Sequence, residues 1–242
     1  MQSLKHYKRH YKEKGTALFL ILIAVVLFAA ITYAVTQSNN GNAVSMSREV
    51  ADTKATELVS YANLIRDAIN KLLLRGCDET EITYQNMYFT HVNASSPSDG
   101  RCHIFHPNGG GLTPRLFSDD YLDSTQVDPI YDNHRGEMGI NGRNRIQYMG
   151  TDSNGVASTD VLGIFTPVHP EICKAINRRY NINPPSYTPP TTGFYGTWIS
   201  NIIGTIDGGL RTTMSGLLKG GGCYFVNQYG GYTSYFVPLL ER

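Results

Sequence analysis

Several signatures that would point to an enzyme are missing from this 242-residue chain. It has no Gly-x-Ser-x-Gly elbow, no His-Glu-x-x-His, no Gly-x-x-x-x-Gly-Lys-Ser/Thr loop and no Cys-x-x-Cys pair. A hydrolase nucleophile, a zinc protease, a phosphate cradle and thioredoxin-like or zinc-ribbon chemistry therefore have no motif behind them, and Lys219 beside three glycines does not supply one. Charge is missing too: no Asp, Glu, Lys or Arg occurs between Lys14 and Arg48. Residues 1–15 hold five of the 21 basic side chains and one of the 20 acidic ones, so the other 16 and 19 leave residues 16–242 at a formal −3. Phosphate binding needs clustered Lys and Arg, and no nucleic-acid partner is expected for the C-terminal part.

The uncharged stretch contains an apolar run over residues 16–35, which is 20 residues. At ~1.5 Å per residue a helix of that length matches the ~30 Å hydrocarbon core of a bilayer. A cleaved secretory signal has a shorter apolar region, of ~7–15 residues, so an anchor is the better reading. Lys5, Lys8, Arg9, Lys12 and Lys14 precede the run, which places the N-terminus in the cytoplasm and the remainder outside.

Cys77, Cys102, Cys173 and Cys223 all follow the span. Four cysteines in an oxidising compartment read as two disulfides with three possible pairings, of which chain order favours 77–102 with 173–223. After Gly41 a second helical pattern covers about residues 47–75. Val50, Ala51, Ala55, Leu58, Ala62, Ile65, Ile69 and Leu72 form one stripe, Ser47 is a candidate N-cap and Gly76 a terminator. That stripe must be covered by the chain's own sheet or by neighbouring copies.

From Cys77 the texture is short strands between turns. "EITYQNMYFTHV" and "RCHIFHP" read as strands, and "NGGGL" at 108–112 as a turn. "RIQYMG" and "TDVLGIFTPV" read as a hairpin around "TDSNGVAS". Pro170 opens a short helix to Tyr180, with Ile172, Cys173 and Ile176 on one side. The proline-rich stretch 182–193 reads as an extended surface loop. Two final strands hinge at Gly230 and Gly231, with Pro238 marking an edge strand.

A basic leader ending in glycine, a small residue, an apolar span, an amphipathic continuation and a cysteine-bearing head together resemble the type IV pilin-like superfamily, which includes pilins, minor pilins and type II secretion pseudopilins. The resemblance implies an α+β fold in which a long N-terminal helix, transmembrane then amphipathic, packs on an antiparallel sheet. It implies leader 1–15, span and filament-core helix 16–36, flexible joint 37–46 around Gly41, amphipathic helix 47–76 and head 77–242. A prepilin peptidase would cut between Gly15 and Thr16, with methylation of the new N-terminus. Leu18, Leu20, Ile23, Leu27 and Ile31 would carry assembly, first in the inner membrane and then in a periplasmic or extracellular filament of like subunits. Two positions depart from the pattern: Leu20 stands where most major pilins have glutamate, and Thr16 where an aromatic residue is usual. The first departure points to a minor or divergent subunit.

Other clusters have plainer explanations. Asp119, Asp120, Asp123, Asp128 and Asp132 match no calcium-loop spacing and read as a solvated loop. "DSNG" at 152–155 reads as a hairpin turn. His91, His103 and His106 read as half-buried strand residues rather than ligands, and no metal or other cofactor is expected. The tyrosines of "YFVNQYGGYTSYF" fit a stacking surface or a strand core equally. "NAS" at 93–95 is formally a glycosylation acceptor, discounted because the leader reads as bacterial. The expectation is a non-enzymatic filament subunit. The competitors are a single-span adhesin or carbohydrate-binding module that does not polymerise, and an anchored hydrolase without a recognised motif.

Overall fold

The computed structural model describes residues 14–39, 46–87, 93–126, 136–146, 160–189, 191–192, 212–214, 220–226 and 231–240. The chain divides into two compact units, residues 1–45 and 46–242. The first contains helix α1 (Lys14–Asn39). This helix includes Gly15 and Thr16 in its first turn and continues through residues 37–39, so the N-terminal part of the expected joint is helical. Gly41 lies outside the described residues.

The second unit is built on α2 (Arg48–Leu74). Ser47 caps it as expected, its Oγ accepting from Val50 N–H at 3.4 Å, and Gly76 follows the helix at φ +87°. The buried stripe is Ala51, Ala55, Leu58, Tyr61, Ala62, Ile65, Ala68, Ile69 and Leu72. Tyr61 and Ala68 join it, whereas Val50, in the first turn, is exposed. Each fully buried Leu or Ile here contributes about 1.5–3 kcal/mol.

The stripe lies on a sheet with the order β3-β5-β6-β2-β1-β4 among the described residues. The strands are β1 (Met138–Ile146), β2 (Asp160–Phe165), β3 (Thr191–Thr192), β4 (Thr212–Met214), β5 (Gly222–Val226) and β6 (Tyr232–Leu240). The central four pair antiparallel, while β3 and β4 add to the two sides in parallel. The fold is thus α+β with an antiparallel sheet centre. Helix α3 (Pro170–Tyr180) begins with Pro170 in its first turn and buries Ile172, Cys173 and Ile176. It packs against both α2 and the β5–β6 pair. Arg178 Nη2 reaches Asp52 Oδ1 at 2.7 Å, and Arg179 donates to the Asp52 carbonyl at 3.1 Å.

Strand residues alternate between the two faces of a sheet. Val161 and Phe165 belong to the core under α2, and the intervening Leu162 and Ile164 are buried as well. A sheet covered on both sides needs no polar alternation, which accounts for the continuous apolar run in β6. It also decides between the two readings of the tyrosines in the described strands: Tyr224, Tyr232 and Tyr235 are fully buried core residues.

Three expectations need correction. "EITYQNMYFTHV" is not a strand over its described part. Glu79–Glu81 form a 3-10 turn, and Thr83 makes a single bridge with His103. "RCHIFHP" is a series of turns, because its imidazoles capture local backbone: Nδ1 of His103 accepts from Phe105 N–H, and Nδ1 of His106 from Asn108 N–H, both at 3.1 Å. The proline-rich stretch contributes Thr191–Thr192 to the sheet beside β5. Pro238 holds a local edge position as expected: β6 lies between β5 and β2 in the strand order, but β5 pairs with it only over Tyr232–Phe236, so among the described residues no strand lies on the β5 side of Pro238. There Arg66 of α2 donates to the Pro238 carbonyl from Nε at 3.1 Å and Nη2 at 2.5 Å, and the β2–β6 register shifts beside its partner Leu162.

Both disulfides have the pairing favoured by chain order, Cys77–Cys102 and Cys173–Cys223. The first closes the turn-rich segment before residue 112. There Gly109 lies so close to the His103 carbonyl that a Cβ would sit 2.1 Å from its oxygen.

Candidate functional site

Two surfaces stand out. The first is α1, whose side chains are described over residues 19–32. Leu20, Ile23, Leu27 and Ile31 are exposed, as are Phe19, Ile21, Leu22, Val25, Val26 and Phe28, at 38–71%. A helix that is apolar on every side has no wet face and needs an apolar surrounding. Its one hydroxyl in that stretch is satisfied internally: Thr32 Oγ1 donates to the Phe28 and Ala29 carbonyls at 2.8 and 3.0 Å. The side chain of Leu18 is outside the described set. Among the described residues no helix is long and apolar enough to cross a membrane. Residues 19–32 alone fall short of the ~20 that a span requires.

The second surface is the flank of α2 against a strap, residues 109–121, which ends in the 3-10 turn Asp119–Tyr121. The strap is tied to the helix along its length. Lys71 Nζ reaches the Gly110 carbonyl at 3.3 Å and Arg75 Nη1 the Gly109 carbonyl at 2.9 Å. Tyr61 Oη accepts from Arg115 N–H at 3.1 Å. Glu57 Oε2 accepts from the Tyr121 hydroxyl at 2.7 Å and from Arg115 Nη2, and Lys54 pairs with Asp120 while lying 4.0 Å from the centroid of the Tyr121 ring. Phe117 anchors the strap, with Tyr121, Phe165 and Tyr61 around it at ring-centroid distances of 5.0, 5.3 and 5.7 Å.

These contacts set the electrostatics. The Tyr121 hydroxyl, then Arg115, hold the Glu57 carboxyl below its ordinary value, and Lys54, then Ser118, do the same for Asp120. Burial, and then the Glu57 carboxylate, push the Tyr121 hydroxyl up. Between α2 and the strap lies an open cleft of about 570 Å³, lined by Glu57, Ser60 and Leu64 on one side and Thr113, Pro114 and Arg115 on the other.

Glu137 is a different case. It is 7% exposed, Oε2 has no partner among the described residues, and burial raises its pKa to about 7. In the unfolded chain the group ionises near pH 4.5, so stability from this residue should fall as pH rises from there through about 7. Glu57 and Asp120 act oppositely, losing their contribution as pH falls through their lowered values. His103, depressed by burial and then by His106, disfavours the folded state as pH drops below its ordinary value of 6.5. Comparing Tm between wild type and Glu137→Gln over pH 4 to 9 isolates the first effect. The variant should gain relative stability as pH rises to 7, and parallel curves would refute the assignment.

The remaining candidate groups are occupied locally. Asp123 Oδ1 accepts from Thr125 N–H and Oγ1, while Asp128, Asp132, His91 and the 152–155 turn lie outside the described residues. Among the described residues no three potential metal ligands converge. The amide of Asn93 is buried, donating to the Thr80 and Ile82 carbonyls at 2.7 and 3.0 Å, so it is not available as a glycosylation acceptor in the folded chain. Sequence reasoning missed the strap and its cleft, whose contacts join residues 34 to 66 positions apart with no periodic signal. No protein-family model, curated protein or solved structure matches the chain.

Proposed function

We propose that this chain is a non-enzymatic structural subunit of a type IV pilin-like filament in a bacterial envelope. The observation that carries the reading is α1, a 26-residue helix whose described side chains, Thr32 apart, are apolar and exposed on all sides. Such a surface gains about 25 cal/mol per Å² when it leaves water. A bilayer offers that environment, and a bundle of identical helices offers an equivalent one, so the segment passes from one to the other without facing solvent. The amphipathic α2, buried against the antiparallel sheet of the disulfide-stapled head, is consistent with this division of labour. In this reading the N-terminus is cytoplasmic and a prepilin peptidase cuts after Gly15. The helix then packs through Leu18, Leu20, Ile23, Leu27 and Ile31 against copies of itself or against other pilin-like subunits. The head contacts neighbours outside the inner membrane.

N-terminal sequencing of the mature protein tests the processing step, and electron microscopy of sheared surface material tests assembly. The expected results are a sequence beginning at Thr16 and filaments that contain this chain. An intact Met1 on a solitary membrane-held protein would overturn the proposal in favour of an anchored adhesin.

A further inference from the structure

We propose that the cleft between α2 and the strap binds a small uncharged polyhydroxylated ligand, a mono- or disaccharide. Its volume of about 570 Å³ lies within the usual range for small-molecule sites. The electrostatics select against ions. Glu57 and Arg115, the charged residues lining the cleft, are bonded to each other, so an anion or cation gains no net attraction and competes with the existing partner. An uncharged ligand leaves the pair intact and uses its remaining capacity.

That capacity suits vicinal hydroxyls, each of which both donates and accepts. The ionised Glu57 carboxylate accepts, the Arg115 guanidinium donates, and the exposed hydroxyls of Ser60 and Thr113 on opposite walls do either. Leu64, 52% exposed, and Pro114 provide aliphatic surface for the C–H face of a sugar ring. The walls are already in place: one is a capped helix, and the other is pinned to it by Arg115 N–H to Tyr61 Oη and by Tyr121 to Glu57. The Tyr61 ring is packed under the helix at 6% exposure and offers no stacking platform. Affinity is accordingly modest, with a dissociation constant on the order of 1 mM. The site does not depend on whether the chain polymerises.

Saturation-transfer difference NMR on the full chain in phosphatidylcholine nanodiscs provides the test. The probes are glucose, galactose, N-acetylglucosamine and maltose, with glucuronate and glucose 6-phosphate as charged comparators. At least one neutral sugar should give a saturable signal that exceeds those of the charged sugars. Ser60→Trp, at an exposed helix position, fills the cleft from one wall and should weaken binding more than tenfold with Tm unchanged. Thr113→Trp fills it from the other wall and should do the same, which keeps the test decisive if one variant fails to fold. Three results would overturn the assignment: no saturable signal from any neutral sugar at about ten times the expected constant, preference for the charged sugars, or full binding in a folded Trp variant.

Discussion

Asn177→Ala is expected to cost about 3 kcal/mol of stability, because one amide does the work of a missing strand. Asn177 sits in α3 with no exposed surface. Its Oδ1 accepts from Cys223 N–H at 2.8 Å, and its Nδ2 donates to the Cys223 carbonyl at 3.0 Å and to the Tyr187 carbonyl at 3.3 Å. Among the described residues, β3 pairs with β5 only at Phe225 and Val226, and no strand lies beside the outward backbone groups of β5 at Cys223. The alanine variant orphans a buried N–H and two carbonyls, each worth about 1–3 kcal/mol when left unsatisfied. A fall in Tm of roughly 6–12 °C should follow in calorimetry. Asn177→Asp separates hydrogen bonding from side-chain size. Its carboxylate keeps the bond from Cys223 N–H but faces two carbonyls, so this variant should be less stable at pH 8 than at pH 4, where a protonated oxygen can donate. Wild-type stability in the alanine variant would show that the amide is dispensable.

Asn177 also illustrates what the sequence conceals. In "PEICKAINRRY" it reads as one more polar residue, and only the position of Cys223, 46 positions later, makes it structural. Features that write a period or a cap into adjacent residues were legible: the α2 stripe with Ser47, the α3 start at Pro170, the final two strands, and the cysteine pairing from chain order. The described residues of 79–107 were not, because their alternating pattern resembles strands while side chains of Asp78, Asn93, His103 and His106 take the backbone bonds that a ladder would need, whereas the glycine turn at 108–112 was. Pro238 reads correctly as a local edge position, because β5 ends opposite Phe236 and leaves that side of β6 without a strand among the described residues.

The same distinction separates the two candidate surfaces. The apolar helix was visible because its signal is contiguous, 20 residues without a formal charge. The strap cleft was invisible because its polar groups come from two distant segments. Glu57 lies off the buried α2 stripe, and its role is to join Arg115 and Tyr121 of the strap rather than to face water alone. An off-stripe residue on an amphipathic helix is therefore not equivalent to a solvated one when a loop is long enough to return along the helix.

The largest single loss of stability should come from the Cys173→Ala/Cys223→Ala double variant. The disulfide spans a sequence separation of 50, for which loop-closure entropy predicts about 4 kcal/mol, against about 3.5 kcal/mol for the separation of 25 at Cys77–Cys102. The entropy difference is small, but the surroundings differ. Cys173 and Cys223 are wholly buried, and Cys223 is the residue that Asn177 holds, so bridge and amide fasten successive turns on one face of α3 to the same point of β5. Removing the bridge lets α3 shift and strains the amide contacts. Asn177→Ala in the bridge-free background should then cost less than in the intact protein, with a coupling of about 0.5–3 kcal/mol in a double-mutant cycle. The Cys77–Cys102 bridge encloses a segment held by its own turns and by the Asn93 amide on the Thr80 and Ile82 carbonyls, and its removal should be additive with Asn177→Ala. Urea unfolding of the four combinations measures both quantities. Equal coupling of the two bridges to Asn177 would mean that the head responds as one undivided unit, whereas coupling confined to Cys173–Cys223 locates the α3–β5 junction as the clamp that holds the helical layer on the sheet.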